Sequence, residues 1–123
     1  MKNSLLDWNR FKGSFIYAWS GIWQIFKREQ NLWIILIIGV FVVVLSWIFN
    51  LSIIEKVIII LISTTVVSAE ILNTTVEFIC DNLNLADHNR TIAILKNIMA
   101  GFVLIWSIAA AVIGILIFWP HLN

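Results

Sequence analysis

Residues 57–81 read VIIILISTTVVSAEILNTTVEFICD. The stretch up to Ala69 holds no ionisable side chain, and Glu70, Asn73, Glu77 and Asp81 then follow in quick succession. At 100° per residue these four fall at about 0°, 300°, 340° and 20°, inside an arc of roughly 80° on one helix face. An ionisable group at membrane depth costs ~2.5–3.5 kcal/mol on insertion scales. Three carboxylates on one face of an apolar helix therefore call for a cation that binds there.

The rest of the chain makes the membrane setting secure. Hydrophobic residues form 61% of the sequence and the mean hydropathy is +0.97, well above the ~45–50% apolar content of soluble domains. The fold class is all-α and integral to a membrane. A chain of 123 residues has room for a single domain of three spans, residues 1–123, and none for a separate soluble catalytic domain. The net charge of +1 and the lack of a basic block exclude nucleic acid as a partner. Cys80 is the sole cysteine, which leaves neither a disulfide framework nor a thiol metal site.

Outward from the acidic stretch, residues 32–49 are apolar apart from Gly39 and Ser46 and predict a first span of ~27 Å. Asn50, Leu51 and Ser52 form a turn, and residues 57–80 make the second span. A polar stretch from Asp81 to Arg90 leads through Thr91, read as an N-cap, into a third span over residues 92–119 that Pro120 ends. Gly101, Gly114 and Ala109 to Ala111 offer small faces for close helix packing. In residues 1–28, Trp8, Phe11, Phe15, Trp19, Ile22 and Phe26 recur every three or four positions, with Lys12, Gln24, Lys27 and Arg28 between them. That pattern predicts an amphipathic helix lying in the membrane interface. No cleaved signal peptide is expected, because Arg10, Lys12, Lys27 and Arg28 interrupt any apolar core.

Lys2, Arg10, Lys12, Lys27 and Arg28 precede the first span, Arg90 and Lys96 follow the second, and Lys56 alone lies between them. The positive-inside rule then puts the N-terminus and the 81–96 loop in the cytoplasm. Glu77 and Asp81 fall at that boundary, with Glu70 ~10 Å deeper. Carboxylate oxygens select hard cations, and Mg²⁺ is commonly held by one or two carboxylates with water and substrate phosphates completing its shell. Glu29, just before the first span, lies at the level of Glu77 and could share the ion. Lys96 returns to the same level. Carboxylates for a metal, an ammonium for phosphate and a deeper glutamate for a lipid hydroxyl together make a phosphoryl-transfer site. Read singly, Glu29 also fits a capping carboxylate, Lys96 a headgroup contact and Asp81 a loop residue.

The segment Glu70-Ile-Leu-Asn73-Thr-Thr-Val-Glu77-Phe-Ile-Cys-Asp81 resembles the E-L-[LV]-N-[ST]-A-I-E-x-x-V-D signature of the prokaryotic diacylglycerol kinase family. Phe15-Ile-Tyr-Ala-Trp-Ser-Gly21-Ile22 and Glu29-Gln-Asn31 are similar to its F-x-x-A-x-x-G-I and E-x-N elements. The tail, with Gly101, Gly114, Phe118 and Pro120, resembles Gram-positive members, which are associated chiefly with undecaprenol. The resemblance implies a homotrimer in a bacterial cell membrane, with composite sites between subunits where ATP phosphorylates a membrane lipid alcohol, undecaprenol or diacylglycerol. Carried over by position, Glu29 and Glu77 would hold Mg²⁺, and Glu70 would position or deprotonate the lipid hydroxyl. Asn73 would orient its neighbours, Lys96 would contact phosphate, and Asp81 would lie near the nucleotide.

Three departures stand out. Family members follow the lysine with aspartate, whereas this chain has Lys96-Asn97, and Asn97 keeps hydrogen-bonding capacity without the charge. Gram-positive relatives carry R-I-H where this chain has Trp33-Ile34-Ile35. The loop after Asp81 is one residue longer, which leaves His88 and Arg90 without family roles. These differences motivate an alternative, a catalytically degenerate member acting as a membrane lipid-binding or interaction protein.

Overall fold

A computed structural model of the chain describes residues 7–82 and 89–122. It is all-helical, with α1 over Trp8–Arg28, α2 over Gln30–Ile48, α3 over Ile53–Asn82 and α4 over Asn89–Phe118. Helices α2, α3 and α4 are each long and apolar enough to cross a membrane. Residues 83–88, His88 among them, lie outside the described residues.

Local chemistry sets each boundary. Asp7 caps α1, its Oδ1 accepting the backbone N–H groups of Asn9 at 3.1 Å and Arg10 at 3.3 Å. Glu29 interrupts the α1–α2 run with extended dihedrals, φ −125° and ψ 115°. At the end of α2, Asn50 takes φ 52°, the left-handed conformation that asparagine tolerates better than most residues. The Asn50 N–H then bonds the Trp47 carbonyl and the Leu51 N–H the Ser46 carbonyl, both at 3.1 Å. These two bonds make a Schellman closure, and Leu51 is buried at 3% exposure.

Helix α3 begins at Ile53, earlier than the apolar run from Val57 suggests, because Ser52 and Glu55 form a capping box. The Ser52 hydroxyl accepts the Glu55 N–H at 3.2 Å and Glu55 Oε1 accepts the Ser52 N–H at 3.1 Å. Thr91 is not an N-cap, since α4 already includes Asn89 and Arg90. At the other end α4 stops at Phe118, and Pro120 sits inside a following 3-10 turn, Trp119–His121. Proline has no N–H to give and suits the start of such a turn.

Helix α3 is the hub, packing against both α2 and α4. Its buried residues Ile59, Ile62, Val66, Ala69, Glu70, Asn73, Thr74 and Cys80 fall on one face, so Glu70 and Asn73 belong to the packed side of the helix. The close glycine contact is Gly39 of α2, where an added Cβ would lie 3.6 Å from Ser63 Cβ. Gly101 and Gly114, expected to pack closely, have nothing within 4 Å of such a Cβ, and Gly114 borders an open groove. No residue of the α4 span is buried. Its apolar surface, including Ile98, Ile105, Ile108 and Leu116, is free to meet lipid or another copy. Replacing Ser52 with Ala should cost about 1 kcal/mol by removing the cap of α3, read as a lower unfolding midpoint in detergent micelles.

Candidate functional site

At 1.5 Å per residue the 30 residues of α3 extend about 45 Å, some 15 Å more than a hydrocarbon core. Glu70 is seventeen positions, or about 26 Å, from the capped start of the helix, just inside the opposite boundary. Its side chain is 6% exposed. Asn73, one turn on, is 8% exposed, and its Nδ2 donates to Glu77 Oε1 at a long 3.5 Å. Glu77 is half-buried. Both Glu29 and Glu77 lie close enough to Glu70 for their charges to act on it. Glu70, Asn73 and Glu77 thus share one face of α3, and Glu29 sits at the α1–α2 break.

That break is clamped. Trp33 Nε1 donates across it to the Phe26 carbonyl at 2.7 Å, and the Trp33 ring meets Phe26 and Trp23 edge-on at centroid distances of 5.1 and 6.4 Å. The Arg28 guanidinium lies 4.3 Å from the centroid of the Phe78 ring, joining the end of α1 to α3 beside Glu77. Trp33 stood out in the sequence as a lost basic residue. Here it fastens the junction that carries Glu29, and no local pattern signals that role because the contact crosses a helix break.

Asp81 and Lys96 form a second group. Lys96 Nζ lies 2.6 Å from Asp81 Oδ1, tying the end of α3 to the first turns of α4. The pair is partly solvated and Asn97 is exposed beside it. Beneath the stripe an apolar groove of about 530 Å³ runs along α3 between α2 and α4, lined by Gly39, Ile59, Ile62, Val66, Ala110 and Gly114 among others. Val66, which lines it, is one turn below Glu70.

A three-span helical membrane protein with acidic side chains at one end of its central helix is a recognisable class. The model of the family described as prokaryotic diacylglycerol kinase matches residues 16–118. The chain belongs to this family. It is 35% identical over 114 residues to an undecaprenol kinase of Bacillus subtilis, covering 93% of this chain and 92% of that one. It is 32% identical over 109 residues to a diacylglycerol kinase of Synechocystis, covering 89% of this chain and 62% of the other. No solved structure matches the chain. Both named relatives are lipid kinases, and the chain is an enzyme of that phosphotransferase class.

Replacing Trp33 with Phe should lower stability by about 1 kcal/mol, since a half-buried indole bond is lost while the ring remains. Faster proteolysis between Lys27 and Gln30 in micelles is the accompanying readout.

Proposed function

We propose that this chain transfers the γ-phosphate of ATP to a membrane lipid alcohol, undecaprenol or diacylglycerol, at the cytoplasmic face of a bacterial cell membrane. The carrying observation is the buried Glu70 carboxylate, on one face of α3 with Asn73 and Glu77 and within electrostatic reach of Glu29. Undecaprenol is the favoured acceptor, because the match to the undecaprenol kinase covers nearly the whole of both chains. The apolar groove below Glu70 suits a hydrocarbon tail whose hydroxyl reaches the carboxylate.

The donor set fits Mg²⁺. Among the described residues no three or more His, Cys, Asp and Glu side chains gather as a metal cage, and Mg²⁺ needs only one or two carboxylates when phosphates complete its shell. Glu29 and Glu77 would hold the ion, which would offset negative charge on the phosphates. Glu70 orients the alcohol and takes its proton as the oxygen attacks the γ-phosphorus in line. The bond from that phosphorus to the β-bridging oxygen breaks, leaving ADP and the lipid phosphate. Lys96 exchanges Asp81 for a phosphate oxygen when nucleotide binds, and Asp81 and Asn97 border the nucleotide. Asn73 holds the Glu77 carboxylate by the bond to Oε1.

The same reading covers the assembly. Helix α1, with Trp8, Phe11, Phe15 and Trp19 exposed and Lys27 and Arg28 in its last turn, lies in the cytoplasmic interface. The unburied surface of α4 and most of α2 supports a homotrimer, with sites completed between subunits. The N-terminus and the 81–96 loop face the cytoplasm, where ATP is available.

Glu70→Ala and Glu77→Ala should each abolish phosphate transfer by purified protein in mixed micelles containing undecaprenol or diacylglycerol. Near-normal turnover in either variant rejects the assignment. Lack of ATP consumption by the wild-type chain with every lipid alcohol tried would favour the degenerate, lipid-binding alternative.

A further inference from the structure

Helix α3 carries four threonines, and three of them dispose of their hydroxyls in one way. Thr64 donates to the Ile60 carbonyl, Thr65 to Leu61 and Thr75 to Ile71, each at 2.8 Å. Such back-bonding one turn down is the common refuge for a hydroxyl in an apolar helix. Thr74 does not use it, although the Glu70 carbonyl lies one turn below it in the same register. Its side chain is 4% exposed, and Oγ1 has no hydrogen-bond partner among the described residues.

Asn73 repeats the anomaly next door. Its Nδ2 is committed to Glu77, while Oδ1 is buried without a partner among the described residues. Seen down the helix axis, Thr74 lies about 40° to one side of Glu70 and Asn73 about 60° to the other. Native proteins rarely leave buried polar atoms unpaired, and each exception calls for a reason such as a catalytic role or a bound water or ion. Here a hydroxyl and a carbonyl oxygen flank the carboxylate on which the proposed chemistry turns.

We infer that Thr74 is a substrate contact that positions the attacking lipid hydroxyl, a role that rests on the proposed lipid kinase function. The alcohol oxygen has one proton and two lone pairs. Its proton goes to Glu70, the Thr74 hydroxyl donates to one lone pair, and the other is left facing the γ-phosphorus. Thr74 thereby selects the orientation of the nucleophile without taking up a proton itself. Its hydroxyl is kept off the Glu70 carbonyl so that it can reach the substrate.

The test compares Thr74→Val and Thr74→Ser with wild type as full-length protein in mixed micelles with undecaprenol, ATP and Mg²⁺. Thr74→Val should melt at or above the wild-type temperature, because an unpaired buried hydroxyl is removed. Its kcat for lipid phosphorylation should fall about ten- to hundredfold, the effect of a misaligned nucleophile. Thr74→Ser should restore lipid turnover to within about threefold of wild type. Wild-type lipid turnover in Thr74→Val overturns the inference while leaving the lipid kinase function intact. So does parallel loss of melting temperature and turnover in both variants, which marks a packing role. An inactive wild-type protein rejects the function and the inference together.

Discussion

A carboxylate that is nearly nine-tenths of the way along an apolar span's membrane depth, and shielded from water, is the constraint around which this molecule is arranged. Glu70 sits about 26 Å along α3 and is 6% exposed, with the charges of Glu29 and Glu77 acting on it. Carboxyl groups near one another in a poorly solvated setting are costly to ionise together. The proposed cation would offset that cost. Helix α3 is accordingly held on two sides by α2 and α4, while the outer helices leave their own apolar surfaces largely uncovered.

Position along the membrane normal follows from two small devices at opposite ends. The Schellman closure at Asn50 and the Ser52–Glu55 capping box fix where α3 starts, and counting residues from there puts Glu70 inside the far boundary and Glu77 beyond it. At the other end the extended Glu29 breaks the α1–α2 run, and Trp33 and Arg28 fasten that break to Phe26 and Phe78. A carboxylate on a helix break is held by its neighbours' contacts. The tryptophan that replaces a polar family residue therefore supports the proposed site through packing.

Much of this was legible in the sequence. The number of spans, the acidic face of α3 and the break before α2 follow from hydropathy and the 100° helical repeat, because they depend on residues close together in the chain. Family membership could be read from Glu70, Asn73 and Glu77 in their spacing. Apolar periodicity marks a span from Val57, and the Ser52–Glu55 capping box carries the helix itself back to Ile53. Thr91 has the chemistry of a cap, yet α4 already includes Asn89 and Arg90, and helix propensity says little about these polar residues just before it. The open space beside Gly101 and Gly114, the Trp33 clamp and the unpaired Thr74 hydroxyl are tertiary facts. They depend on which helix faces which, and single-chain spacing carries no such information.

The claim that the carboxylates gather to hold a cation with nucleotide is open to direct measurement. Mn²⁺ substituted for Mg²⁺, in the presence of a non-hydrolysable ATP analogue, can be titrated against the purified chain in detergent by electron paramagnetic resonance. The account predicts one bound ion whose affinity falls at least about tenfold in Glu29→Gln and in Glu77→Gln and is unchanged in Glu55→Gln at the opposite end of α3. Equal affinity in wild type, Glu29→Gln and Glu77→Gln would contradict it.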